Sequence, residues 1–252
     1  MEGWKERTGM LVGEEGLRRL AEAHVAIIGL GGVGAYAAEM ICRAGIGHLL
    51  LLDSDTVSIS NRNRQLCALE STTGKRKTEV MAARLMDINP SADISVVTDF
   101  ITPDNVPLLI EPYGIDYLVD AIDTLSPKIA LISYCLSHNM KLVSSMGAGA
   151  KFDATQVRLA DIGKSRNCPL AHMLRKRLRY VGITTGFDVV YSEELPDREA
   201  IVTLDPHEER NKKSQVGTIS YLPAVFGCVC AQACITSILG LKKRPGGTYS
   251  NE

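Results

Sequence analysis

Val25-Ala26-Ile27-Ile28-Gly29-Leu30-Gly31-Gly32-Val33-Gly34 is the stretch whose reading decides the fold. A short apolar run enters a glycine turn, and Val33 to Ala44 then reads as a helix with small residues on the face that would meet a sheet. Glycines suit such a turn because the backbone bends tightly and a phosphate must approach the helix N-terminus with no Cβ in its way. The loop points to a nucleotide without saying which one. Outward from it, His48 to Asp53 reads as a second strand ending on an acid, placed where a carboxylate commonly bonds a ribose hydroxyl. Thr78 to Ile88 is an amphipathic helix stopped by Asn89-Pro90, and Ile94 to Thr98 alternates as a strand. Tyr117 to Ile122 and Lys141 to Ser145 read as strands on either side of a helix at Lys128 to Ser137. Strand, helix and strand at this spacing predict an α/β fold with a Rossmann-like, doubly wound, mainly parallel sheet.

Composition narrows the classes. The chain has 252 residues, enough for a sizeable core, and its 45% hydrophobic and 23% charged content argues against disorder. A net charge of −1 excludes a polycation, so any contact with nucleic acid needs a local basic patch. Met1 to Leu11 carries both signs of charge and no apolar run, so no signal peptide is expected. None of the seven cysteines forms a Cys-x-x-Cys pair, which removes the strong zinc signature and points to a reducing, cytoplasmic setting.

On the glycine turn and Asp53 alone, a dinucleotide dehydrogenase is the default reading. The following segment argues against it: Asp53-Ser54-Asp55-Thr56-Val57 leads to Ser60-Asn61-Arg62-Asn63-Arg64-Gln65 and then Gly74-Lys75-Arg76-Lys77. A nicotinamide site has no need of so many cations near the ribose end. A triphosphate does, because guanidinium forks and an ammonium neutralise phosphates and draw charge onto a departing pyrophosphate.

These motifs, with Asp120-Ala121-Ile122-Asp123 and in this order and spacing, resemble the ubiquitin-activating-enzyme-like superfamily, which includes the adenylyltransferases of thiamine and molybdopterin synthesis. The resemblance is strong from Arg7 to Ala150 and implies a sheet of the ThiF/MoeB type with a C-terminal substrate-side extension. It implies one domain over 1–252: an N-terminal arm and helix (1–22), an ATP-binding half (23–150) and a substrate- or tRNA-side half (151–252). Gly29, Gly31, Gly32, Gly34, Asp53, Asp55, Asn61, Arg64 and Lys77 would bind ATP. Within that set Asp53 would hold the ribose, and Asn61, Arg64 and Lys77 the phosphates, while Asp123 would carry Mg²⁺. Arg7, ahead of Leu11-Val12-Gly13, falls where the superfamily supplies an arginine finger to a partner subunit, which implies a homodimer and a catalytic set of Arg7, Arg64, Lys77 and Asp123. One departure is Thr124 after Asp123, where the carrier-protein enzymes have asparagine.

Asp99-Phe100-Ile101-Thr102-Pro103-Asp104-Asn105, Met146-Gly147-Ala148-Gly149, Asp153-x-Thr155-Gln156, Cys168-Pro169-Leu170-Ala171 and Val190-Tyr191-Ser192-Glu193-Glu194 are similar to one branch, the tRNA threonylcarbamoyladenosine dehydratases. That branch implies ATP-dependent cyclisation of the modified nucleoside through an adenylated carboxylate. Adenylation of the C-terminal glycine of a small ubiquitin-like sulfur carrier is the alternative, and a cysteine-desulfurase-type sulfur-relay partner stays open.

Beyond Gly149 the pattern changes. Asn167 to Tyr180 reads as a helix whose basic face, Arg175, Lys176, Arg177 and Arg179, suits tRNA phosphates or plain solvent. Pro196 to Gln215 reads as a polar loop. Cys168 is read as an incidental loop cysteine, with a thioester role as its rival, and Cys228, Cys230 and Cys234 as core residues. Ile219 to Leu241 is long and apolar enough to span a bilayer, yet Pro223, Gly227, Gln232 and its small residues favour a helix buried in the core or at a dimer interface.

Overall fold

The computed structural model describes residues 3–203, 214–243 and 249–250. Its centre is a seven-stranded sheet formed by β1 (His24–Ile28), β2 (His48–Leu52), β3 (Asp93–Val97), β4 (Tyr117–Asp120), β5 (Lys141–Ser145), β6 (Val157–Asp161) and β7 (Asp188–Ser192). Their spatial order is β3-β2-β1-β4-β5-β7-β6, all parallel except β6, which runs antiparallel to β7. The winding therefore reverses between β1 and β4, the place where parallel open sheets leave a crevice at their carboxyl ends. The doubly wound, mainly parallel reading holds.

After His48, the β2 strand is leucine at every position, Leu49 to Leu52, because both faces of the sheet are covered there. On one face, Val25, Ile27, Leu49, Leu51, Val119 and Val143 pack beneath α1 (Glu6–Glu22), α2 (Gly34–Arg43), α3 (Lys77–Ile88) and the C-terminal helix α7 (Tyr221–Leu239). On the other, Ala26, Ile28, Leu50, Leu118 and Leu142 pack against α4 (Val106–Ile110), α5 (Leu125–Ser137) and α6 (Pro169–Arg179). Helix α5 starts three residues earlier than expected from the pattern, because Pro127 is tolerated in a first turn that has no use for its missing N–H.

Two expectations are corrected. The Pro196–Gln215 segment is not wholly a loop: β8 (Ile201–Thr203) and β9 (Ser214–Val216) pair antiparallel, while 204–213 lie outside the described residues. Cys228 is exposed, whereas Cys230 and Cys234, on the opposite face of α7, are buried.

Helix α7 resolves the apolar C-terminal segment. Among the described residues it alone is long and apolar enough to cross a bilayer, but its inner face, including Leu222, Phe226, Cys230, Ala233 and Cys234, belongs to the core. The small residues have a job there. A Cβ on Gly227 would stand 2.5 Å from the Val33 carbonyl oxygen and 2.8 Å from the Tyr36 Cβ, so α7 crosses α2 in near contact of backbones. Replacing Gly227 by valine is expected to destabilise the fold by about 1–3 kcal/mol or more through overpacking, measured by denaturant unfolding, and to loosen the glycine turn that α2 carries.

Candidate functional site

At the carboxyl ends of β1, β2, β4 and β5 the chain encloses an open cleft of ≈ 620 Å³, the size expected for a nucleotide and part of a second ligand. Its floor is the glycine turn. Gly29 has φ +91°, and a Cβ there would press on the Ala121 carbonyl oxygen at 3.0 Å. Gly34 is buried at the start of α2, where a Cβ would fall 1.7 Å from the Gly29 carbonyl oxygen, a clash no side chain survives. Gly32 lies against Pro223 of α7, 3.0 Å from where its Cβ would be. Gly31 differs: its nearest neighbour would be the Gln65 side chain at 3.7 Å, so its backbone faces open space. Three of the four glycines thus permit close packing of the turn, and Gly31 leaves room for a ligand.

Asp53, at the end of β2, is 9% exposed. One carboxylate oxygen accepts from Leu30 N at 2.6 Å and the other from Asp55 N at 2.8 Å, which ties the acid to the glycine turn and to its own loop. Burial pushes its pKa above the ordinary carboxylate value, opposed by the nearby Lys77 charge and by the two backbone donors. Lys77 opens α3 and is buried to 4% exposure, with Nζ 2.7 Å from the Asp55 carboxylate. Arg64 is half-buried and donates to the Ser60 carbonyl at 3.0 Å and to Asn63 Oδ1 at 2.7 Å, with Asn63 in turn donating to the Thr218 carbonyl at 2.9 Å. Asn61 lines the cleft while its Oδ1 accepts from Ser58 N at 3.1 Å. The cations near the turn therefore separate. Arg64 and Lys77 line the cleft, whereas Arg62 pairs with Glu70 and Arg76 donates to the Ser54 carbonyl at 3.0 Å.

Asp123 reaches the cleft from the loop after β4. Asp123 is exposed, as are Asp55 and Asp99 elsewhere in the lining, and a carboxylate so placed suits Mg²⁺, which binds through one or two carboxylates plus substrate phosphates and keeps its waters; no group of three or more metal-binding side chains occurs among the described residues. The far wall is Ser145-Met146-Gly147-Ala148-Gly149, with Leu170, Thr218 and Pro223. The cleft thus has two limbs: a nucleotide limb over β1, β2 and the Asp99-Phe100-Ile101 rim, and a second limb over β5.

Arg7 does not line this cleft; it is exposed in the first turn of α1, whose helical path breaks at Gly13 (φ +74°) beside the exposed Met10 and Leu11. Lys176, Arg177 and Arg179 are exposed on α6, while Arg175 is turned inward to the Ser165 carbonyl at 2.8 Å. Leu170 brings the start of α6 to the second limb, while the exposed cations lie in its last turn, about 9–14 Å further along the helix. Cys168 is buried directly behind the wall, with Sγ 3.9 Å from where a Cβ on Gly147 would stand.

Sequence reasoning missed Lys128. Its ammonium and the Asp120 carboxylate, both fully buried, pair at 2.8 Å, and Nζ also donates to the Ile122 carbonyl at 2.9 Å. Asp120 further accepts from Ser144 Oγ at 2.7 Å and from Ile122 N at 3.1 Å. The pair clamps the short loop that presents Asp123. A lysine three residues into a helix reads as solvated, and the signal that could have found it is its place opposite the acid that ends β4.

The comparisons with known proteins follow this geometry. Residues 6–251 match the ThiF family. The tRNA threonylcarbamoyladenosine dehydratase of Bacillus subtilis is 39% identical, over 92% of this chain and 93% of its own. The Escherichia coli dehydratase, TcdA, is 37% identical, and its crystal structure in complex with ATP superposes with a TM-score of 0.85 over 95% of this chain and 96% of that one. The adenylyltransferase and sulfurtransferase MOCS3 of Drosophila willistoni is 33% identical over 62% of this chain and 33% of its own.

Removing Lys128 would leave Asp120 charged and unpaired in the core. Lys128→Ala is therefore expected to cost about 3–5 kcal/mol in unfolding free energy, and a joint Lys128→Met, Asp120→Asn replacement markedly less; equal losses in the two would contradict the clamp.

Proposed function

The chain belongs to the ThiF family, and on that premise we propose that it catalyses ATP-dependent dehydration of threonylcarbamoyladenosine in tRNA, closing a ring through an adenylated carboxylate. The observation that carries this reading is the extent of the likeness to dehydratases, which runs over nearly the whole of both chains and takes in the second limb of the cleft. Adenylation of a sulfur carrier is the second reading, and the relative that favours it matches a smaller part of this chain.

The chemistry suits the two limbs. A carboxylate is a poor acyl donor because its leaving group would be an oxide. In the first step a carboxylate oxygen of the threonyl side chain forms a bond to the α-phosphorus of ATP, and pyrophosphate departs with the P–O electron pair. In the second, a ureido nitrogen of the same nucleoside forms a bond to the activated carbonyl carbon, AMP leaves, and the nitrogen loses its proton. The net change is loss of one water. Neither step needs a protein nucleophile; both depend on placement and charge stabilisation.

Asp53, held by Leu30 N and Asp55 N, offers its remaining lone pairs to the ribose hydroxyls. The open backbone at Gly31, with Arg64 and Lys77, receives the phosphates, and Asn61 shapes the loop beside them. Lys77 exchanges its contact with Asp55 for the triphosphate, and its burial strengthens that attraction. Asp123 would hold Mg²⁺, which when bound would supply positive charge beside the pyrophosphate leaving group. In this reading 23–150 is the ATP half of one domain, and 151–252 the substrate side.

Arg7 serves the site of a second copy: it is exposed and lies outside its own cleft, and the adjoining Met10 and Leu11, 83% and 86% exposed, are apolar surface for a homodimer to cover. Lys176, Arg177 and Arg179, in the last turn of a helix whose start lines the second limb, meet tRNA phosphates beyond the cleft, with Arg175 bonded inward to Ser165. No step transfers sulfur, so a sulfur-relay partner is not required. The packed inner face of α7 suits a cytoplasmic protein.

The deciding measurement is nucleoside mass spectrometry of tRNA bearing threonylcarbamoyladenosine, incubated with protein, ATP and Mg²⁺. Loss of one water from that nucleoside only when ATP is present is expected; an unchanged nucleoside together with adenylation of a sulfur carrier would replace the reading by the second. Lys77→Ala and Arg64→Ala are each expected to lower adenylation by about 10²–10³-fold without unfolding the protein, scored by pyrophosphate release. Mixing Arg7→Ala chains with Lys77→Ala chains is expected to restore part of the activity through hybrid dimers; confirmed heterodimers without restoration would remove Arg7 from the site.

A further inference from the structure

Three segments meet behind the wall of the second limb: the exit of β5, the entry to α6 and the exit of β7. Lys151 stands at their junction, 2% exposed. Its ammonium donates to the Ser192 carbonyl at 3.0 Å and reaches the Asn167 carbonyl at 3.4 Å, so one side chain from the β5 exit holds both other segments. The junction is laced from the other side as well. Asn167, in the left-handed region at φ +55°, donates through Nδ2 to the Glu193 carbonyl at 2.6 Å, and the Glu194 carboxylate accepts from Phe152 N at 2.9 Å and Asp153 N at 2.7 Å.

Nothing in the adenylation or cyclisation steps uses this lysine. Yet an ammonium withdrawn from water is costly, and no carboxylate among the described residues forms an ion pair with it. Burial lowers its pKa, while the neighbouring Cys168 thiol and Glu194 carboxylate draw it back up. An apolar residue would fill the same space at less cost but could not bridge two carbonyls belonging to separate segments. Both cleft-lining elements here hang from this junction: Gly149 directly precedes Ala150-Lys151, and Leu170 follows Asn167-Cys168-Pro169. Among the described residues, neither Lys151 nor the Asn167 side chain bonds to β1, β2 or α3.

We infer that Lys151 is a positioning residue that fixes the spacing between the Met146–Gly149 wall and the start of α6, and thereby determines productive binding of the carboxylate-bearing substrate without affecting ATP. This rests on the dehydratase reading for the identity of that substrate, though not for the placement of the wall.

The test compares wild type, Lys151→Met and Asn167→Gly as full chains. Asn167→Gly keeps the left-handed backbone and removes only the bond to Glu193. Lys151→Met is expected to raise KM for threonylcarbamoyladenosine-bearing tRNA by about 10–100-fold, since misplacement of order 1 Å has effects of that size, with kcat less affected. Asn167→Gly should shift KM the same way by less, and the Kd for ATP, measured by calorimetry, should stay within about twofold in both, because neither substituted side chain bonds to β1, β2 or α3. Amide hydrogen exchange supplies a readout that needs no activity: faster exchange at 146–151 and 165–170, with the glycine turn at 29–34 unchanged. Unchanged KM and exchange in both variants would overturn the inference, as would an ATP affinity that falls in step with tRNA. If Lys151→Met fails to fold, Asn167→Gly alone decides. If wild type leaves the tRNA unchanged, the dehydratase reading fails, and the exchange pattern still decides whether Lys151 holds the wall.

Discussion

The near contact of Gly34 with the Gly29 carbonyl is the constraint on which the rest depends. At that spacing no side chain fits between the Gly29 carbonyl and the start of α2, so the helix is drawn tightly against the exit of β1 and the turn between them lines the crevice. Every other part of the nucleotide limb takes its place from this turn. Asp53 is fixed to it through Leu30 N, α7 presses Pro223 against Gly32, and Gly227 lets α7 lie close enough to α2 to do so. A substitution at the α2–α7 crossing is therefore a substitution in the floor of the cleft, though it lies outside the lining.

Charge is arranged on the same principle. Buried charges are tolerated where each has a partner or several donors and acceptors, and here they serve as fasteners for loops at the ends of strands. Lys128 with Asp120 fastens the loop after β4, and Lys151 fastens the exit from β5 with carbonyls in place of a carboxylate. The half-buried Arg64 and the buried Lys77 have protein contacts that a phosphate can exchange for its own: a carbonyl and an amide for the one, an exposed carboxylate for the other. The first kind holds the cleft's shape, and the second is available to what enters it.

Legibility in the sequence followed a physical divide. The glycine turn, the strands from β1 to β5 and the acid ending β2 are readable because their signals are local: tight turns need glycine, central strands covered on both faces carry short apolar runs, and the edge strand β3 alternates. The burial of Lys128 and Lys151 was not readable, because a lysine in a mixed pattern looks solvated and only the tertiary fold reveals what closes over it. The pairing of β8 with β9 was hidden for a similar reason, since its strands are short and lie within a polar stretch. In α7 the ambiguity was intrinsic. An apolar helix built from small residues fits a bilayer or a protein core equally well, and what separates the two is the α2 backbone waiting at Gly227.

That crossing also bears on how the molecule comes into being. The glycine turn leaves the ribosome well before the helix that backs it, which is made of residues 221–239, about 190 residues later. Through most of synthesis the nascent chain carries its full set of phosphate-facing motifs with one face of α2 and of the central strands still bare. An apolar surface of that kind is what chaperones recognise, and the helix that covers it emerges only after all seven strands of the sheet. The glycine turn is thus packed only after α7 has been made, and a chain stalled before α7 would carry the turn without the helix that presses on it.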